Sequence, residues 1–199
     1  MTARPVRYRR YALAVLAAAA VLTIAIVAFA RPGRPTPASF PSLVPAVAPA
    51  SWLHLTLPDG TAVLSYPPSL QQISGDTDAV SAARLGPGGG IQLYLNATPR
   101  QGTENLAHWA AFRLALLRSD DAASAREVAA AERVKFRGGT GSCVIDAYVT
   151  RIGAHQYQEI ACLVQGRQSA SVIVAAAPAA TWAEERPLLF QAVAAYLVR

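Results

Sequence analysis

Gly141-Ser-Cys-Val-Ile-Asp-Ala-Tyr-Val-Thr-Arg151 and His155-Gln-Tyr-Gln-Glu-Ile-Ala-Cys-Leu-Val164 flank a turn at Ile152-Gly153, and this pair of runs decides the fold. Both are rich in apolar and β-branched side chains, which marks them as strands of one antiparallel hairpin. With the turn centred on Ile152-Gly153, facing residues have numbers summing to 305, and the only two cysteines, Cys143 and Cys162, satisfy that condition. Facing side chains then have Cβ atoms about 4.5–5.5 Å apart. A disulfide fits such a pair if it occupies a non-hydrogen-bonded position, where the strands lie closer. Two buried free thiols are the alternative. A metal site is disfavoured, because two cysteines without nearby ligand histidines cannot complete a tetrahedral shell.

Outward from the hairpin, the same patterning predicts further strands. Residues 52–57 and 61–66 flank Pro58-Asp59-Gly60, and residues 79–85 and 91–97 flank Gly86-Pro87-Gly88-Gly89-Gly90. Gln165-Gly166-Arg167 turns the chain into a strand over 169–176. Residues 126–131 are alanine-rich and suit a helix, whereas 133–137 suit a strand, the reading favoured for that half. One helix is expected from Gly102 or Thr103 to about Arg118. A second starts near Thr181, with Thr181 and Glu184 as a capping box, and runs past Pro187 through 188–198. Antiparallel strands with helices between and after them give an α+β fold, a central antiparallel sheet flanked by helices.

The N-terminal part has a different character. Arg4, Arg7, Arg9 and Arg10 precede a charge-free run over 11–30, and Arg31 and Arg34 follow it. No acidic residue occurs before Asp59, and from residue 35 onward 11 Arg and one Lys balance 12 acidic residues. The net charge of +6 therefore belongs to the first 34 residues alone. Twenty apolar residues match the hydrocarbon core of a bilayer. Flanking arginines then orient residues 1–10 toward the cytoplasm and the remainder outside it. A single-pass signal anchor is the preferred reading. A signal peptide cleaved after Ala28-Phe29-Ala30, which would release the chain, is the alternative. Residues 31–50 carry six prolines and predict an extended linker reaching up to about 60 Å, followed by one domain over 51–199.

Recognisable chemistry is sparse. His54, His108 and His155 fall in three different elements without ligand spacing, and G-x-S-x-G does not occur. The Gly86–Gly90 run lacks a following Lys-Ser/Thr and precedes a strand, so it is no phosphate loop. Gly138-Gly139-Thr140-Gly141-Ser142 reads as a loop entering a strand. Asp120-Asp121 reads as a solvated helix end, and Asp76 and Asp78 as loop residues. Asn96-Ala97-Thr98 fits the glycosylation pattern but is followed by Pro99. A formally neutral domain outside the cell is no nucleic-acid binder, and no cofactor is implied. One residue stands out. On a helical wheel Arg113 falls inside the apolar arc of Leu106, Trp109, Ala110, Phe112, Leu116 and Leu117. A buried arginine needs a partner, such as Asp146 or Glu159. Alternatively, Arg113 and Trp109 mark a groove that takes a ligand or partner.

Val172-Ile173-Val174-Ala175-Ala176-Ala177-Pro178, then Trp182, Pro187-Leu188 and a terminal helix, with Ser65-Tyr66-Pro67-Pro68 after an early strand, resemble the PsbP-like family, especially its extracytoplasmic actinobacterial members. The resemblance covers residues 52–198. It implies a central antiparallel sheet flanked by helices and a role as an extrinsic assembly, binding or transport-associated factor without a catalytic centre. It carries over no functional residue. The chain lacks the lipidated cysteine of the lipoprotein members. The expectation is a membrane-anchored, non-enzymatic envelope domain that binds a protein partner or assists assembly of a membrane complex. The alternative is a carrier of an apolar or lipidic ligand held between sheet and helices.

Overall fold

Residues 39–120 and 122–199 are described by a computed structural model. The apolar run over 11–30 and the first part of the linker lie outside these residues. Among the described residues no helix is long and apolar enough to cross a membrane.

The central hairpin organises everything else. Strands β7 (Gly139–Thr150) and β8 (Gln156–Gln165) pair antiparallel with Cys143 opposite Cys162. The two are joined as a disulfide with Cα atoms 4.1 Å apart. Thr150 donates its amide to the His155 carbonyl, so even-numbered residues of β7 make the hydrogen-bonded pairs and Cys143 falls at a non-hydrogen-bonded one.

Five more strands extend this hairpin into one antiparallel sheet. They are β3 (Gln71–Ile73), β4 (Val80–Leu85), β5 (Ile91–Pro99), β6 (Ala122–Phe136) and β9 (Ala170–Pro178), in the order β3-β4-β5-β9-β8-β7-β6. A small second sheet joins β1 (Leu53–Thr56), β2 (Ala62–Tyr66) and β10 (Leu197–Val198). Two helices, α1 (Trp109–Asp120) and α2 (Trp182–Ala195), complete the fold.

Sidedness follows from side-chain alternation. Leu95, Ile145, Ile160, Ile173 and their neighbours on one face of the large sheet join Leu64 of β2 and Leu189 and Val193 of α2 in the main core. Val144, Ala161, Leu163, Val172 and Val174 on the opposite face meet Trp109 of α1. Helix α1 packs over β6, β7 and β8, so the β5–β9 part of that face is left open.

The structure corrects several local expectations. Residues 101–105 do not begin α1: Glu104 accepts the Gln101 and Gly102 amides, and Asn105 Oδ1 caps a short 3-10 turn at Leu106–His108. Such local side-chain bonds compete with helix. The Thr181 capping box does not form, because the Thr181 hydroxyl donates back to the Pro178 carbonyl. Residues 126–131 are strand, since all of β6 is held against β7. Helix α2 stops at Ala195 rather than reaching 198; Tyr196 turns extended and β10 pairs with β2.

Part of the stretch expected as a linker packs on the domain. Residues 39–50 form neither helix nor strand, as their prolines require. Yet Phe40, Leu43 and Ala48 pack on the main core. The Phe40 and Phe190 rings are 6.5 Å apart, and the Ala46 amide donates to Ala194. This strap belongs to the domain.

Candidate functional site

The open part of the sheet and the flank of α1 enclose a cleft of about 790 Å³. Its position follows from how α1 sits. Trp109, Arg113, Leu114 and Leu117 turn toward the sheet, while Phe112 and Leu116 look sideways into the cleft. The apolar arc of this helix is thus wider than the face it buries, and the surplus is the cleft wall. Val172, Val174 and Ala176 of β9 form the floor. They keep 8%, 6% and 3% exposure, whereas Ile173, Ala175 and Ala177 on the other face keep 0%. Tyr94 and Asn96 of β5 continue that floor, and the β7–β8 turn edges the mouth with Arg151, Ile152 and His155.

Beneath the wall lies a charged cluster. Arg113 Nε donates to Glu159 Oε1 at 2.7 Å, and Nη2 lies 2.6 Å from the same oxygen. Burial alone would lower the Arg113 pKa, but Glu159 and Asp146 outweigh it and hold the guanidinium above its usual range. Asp146 faces Glu159 across the hairpin and is fully buried. Neither of its carboxyl oxygens has a hydrogen-bond partner among the described residues. Burial first, then the negative charge of Glu159, push it up to about 9. Its protonated form is therefore favoured, and the Glu159 carboxylate across the hairpin is the acceptor that faces it. Arg113, Glu159 and protonated Asp146 sum to zero charge.

Aromatic groups border the cluster. Tyr148 and Tyr157, also facing residues, stack at 5.7 Å between ring centroids. Burial and Glu159 push the Tyr148 phenol up, so it stays protonated. Trp109 is a wedge rather than a free binding group: it is buried, and its Nε1 donates to the Ala161 carbonyl at 2.9 Å. Arg113 borders the cleft but is committed to Glu159. The structure thus brings the two singled-out residues together on one helix face and gives each an internal partner. Of the two partners expected for Arg113, the structure gives the ion pair to Glu159 and sets Asp146 behind it; Tyr148 and Tyr157 were not singled out from sequence. The sum of 305 that pairs the cysteines also pairs Asp146 with Glu159 and Tyr148 with Tyr157, and was the signal available.

Other polar contacts are structural. His54 Nδ1 lies 3.0 Å from Ser65 Oγ across β1 and β2, but Ser65 is buried and no acid orients the ring. A serine nucleophile needs both access and an oriented base. Asn96 is buried in β5 and donates to Ser81 Oγ at 2.9 Å, so the sequon is closed to glycosylation in the folded domain. Among the described residues no group of three or more His, Cys, Asp or Glu could hold a metal ion.

No family model matches the chain, and no curated protein matches it in sequence. Solved structures do. The solution structure of cyanobacterial PsbP (CyanoP) from Synechocystis sp. PCC 6803 aligns with a TM-score of 0.56 at 12% identity, over 77% of this chain and 96% of that one. The crystal structure of LpqN, involved in cell envelope biogenesis of Mycobacterium tuberculosis, aligns with a TM-score of 0.44 at 10% identity, over 74% and 90%. The first likeness establishes a PsbP-like α+β fold; nothing rests on the second.

Proposed function

We propose that this chain is a membrane-tethered, extracytoplasmic and non-enzymatic binding domain that holds an amphiphilic ligand with an apolar body in the cleft between α1 and the sheet. The observation that carries this reading is Phe112 and Leu116 facing Val172, Val174 and Ala176 across a concave cleft whose remaining lining is largely polar. Its volume lies within the roughly 300–1,000 Å³ usual for ligand sites. Arg113 is committed to Glu159, while Asn96 and the tyrosines at the cleft offer hydrogen bonds to a polar head such as a carboxyl group. An open concave site supports ligand carriage more than the protein-partner reading. That reverses the order favoured on sequence. The basic residues before and after the apolar run support the tether and its orientation.

The test is titration with a fluorescent polyene fatty acid. Saturable one-to-one binding is expected, abolished by Ala176→Trp, which fills the floor, with the unfolding transition retained. Binding that ignores Ala176→Trp would place the ligand elsewhere.

A further inference from the structure

The cleft mouth carries a second signal, independent of the cleft's interior. Among the described residues seven large apolar side chains are exposed: Val44, Val47, Leu53, Leu85, Ile91, Leu116 and Ile152. Four of these converge on one end of the large sheet. Leu85 and Ile91 face each other beside the β4–β5 turn. Ile152 sits in the β7–β8 turn at 89% exposure, and Leu116 is near the end of α1, which leads into β6 opposite Thr150. The strand registers put these positions at the same end, because Tyr94 pairs with Ala176 and Tyr157 with Pro178. Apolar groups gathered at a cleft mouth mark an interaction surface.

The chain's own layout says what covers it. Helix α2 begins just after Pro178, at this same end. The strap meets α2 at Phe190 and then at Ala194, so from Phe40 onward it runs from the middle of α2 toward its far end. Because residues 39–50 belong to the domain, only residues 31–38 separate it from the apolar run over 11–30. Eight residues span at most about 25 Å, against about 60 Å for the full proline-rich stretch. A mouth confined that close to a bilayer meets lipid at high effective concentration, so even weak apolar contact is populated.

We infer that the domain docks mouth-down on the lipid bilayer through Leu85, Ile91, Leu116 and Ile152, and that the cleft loads directly from the membrane. This rests on the proposed tether and on the cleft as a ligand site. Arg118 and Arg151 near the mouth donate to backbone carbonyls, and Asp76 and Asp120 stand nearby. Docking is therefore apolar and largely indifferent to anionic lipid. Direct loading spares an apolar tail a passage through water.

The test uses the full chain reconstituted in phosphatidylcholine vesicles. Ile152→Cys and, separately, Val47→Cys, a control at 77% exposure near the far end of α2, are labelled with an environment-sensitive fluorophore. Cys143 and Cys162 are disulfide-bonded, so only the introduced thiol reacts. The expected result is blue-shifted emission at position 152, quenched several-fold by spin-labelled lipid, and water-like emission at position 47. Water-like emission at 152, or equal quenching at both positions, overturns the inference. The fatty-acid titration on the unlabelled chain separates the two claims. Intact cleft binding with an unshielded position 152 removes docking alone, and lost cleft binding with a shielded position 152 removes the ligand reading alone. Ile152→Asp should slow transfer of the polyene probe from vesicles several-fold while leaving its equilibrium affinity unchanged; an unchanged rate counts against membrane loading.

Discussion

Arg113 shows how one residue links core chemistry to the cleft. Its partner Glu159 is nearly fully buried, so Arg113→Ala leaves an uncompensated carboxylate. A loss of about 3–5 kcal/mol is expected in denaturant unfolding. Asp146 makes a separate prediction. Its folded pKa of about 9 lies far above the ordinary carboxylate value, so between those values the folded state binds more protons than the unfolded one. Stability from this group is complete below about pH 4 and declines as pH rises toward 9, by at most about 1.4 kcal/mol per pH unit. Asp146→Asn, neutral at every pH, should remove that slope. The melting temperature of the wild type should therefore fall relative to Asp146→Asn between pH 5 and pH 8, and parallel curves would contradict a protonated Asp146. Arg113 was legible in the sequence as a charge out of place. Asp146 was equally legible through its pairing with Glu159, but a lone aspartate in a strand carries no pattern that announces its burial.

At the scale of elements, the hairpin was written plainly in the sequence because its register is fixed by a tight turn. The disulfide closes a loop with a sequence separation of 19, and chain entropy assigns it about 3 kcal/mol. Guanidinium unfolding of Cys143→Ser/Cys162→Ser should show a loss of that size. Gly138 has a positive φ of 84°, and a Cβ there would sit 1.9 Å from the Val198 carbonyl oxygen. Gly138→Ala should cost roughly 1–3 kcal/mol or more and loosen β10, seen as faster amide exchange at Val198. The elements missed from sequence are β3 and β10, with three and two residues. Runs that short have no periodicity and exist through pairing alone. Strand β6 was half missed because its alanines favour helix, a preference overridden by pairing along 15 residues. Its three register shifts and its charges Arg126, Glu127, Glu132, Arg133 and Lys135 also blunt it as a sheet edge.

For the whole molecule, the α+β layering was readable from strand spacing, but the cleft was not. Helix α1 has more apolar surface than it buries, and which part faces inward depends on Arg113 reaching Glu159, a contact between residues 46 apart. A helical wheel places Phe112 and Leu116 in the same arc as Trp109 and cannot say that one flank is left for a ligand. The charge is likewise uneven: all of the net +6 lies in the first 34 residues, and the remainder is formally neutral. The packing of Phe40, Leu43 and Ala48 on the main core was not readable from a proline-rich stretch. The central claim, that the cleft between α1 and the sheet is the binding site, is tested most directly by methyl NMR of the full chain in lipid nanodiscs, titrated with a long-chain fatty acid. The account predicts saturable shifts at Leu116, Val172 and Val174 with little change at Leu64 and Val193 in the main core. Shifts confined to the α2 side, or none at saturating ligand, would contradict it.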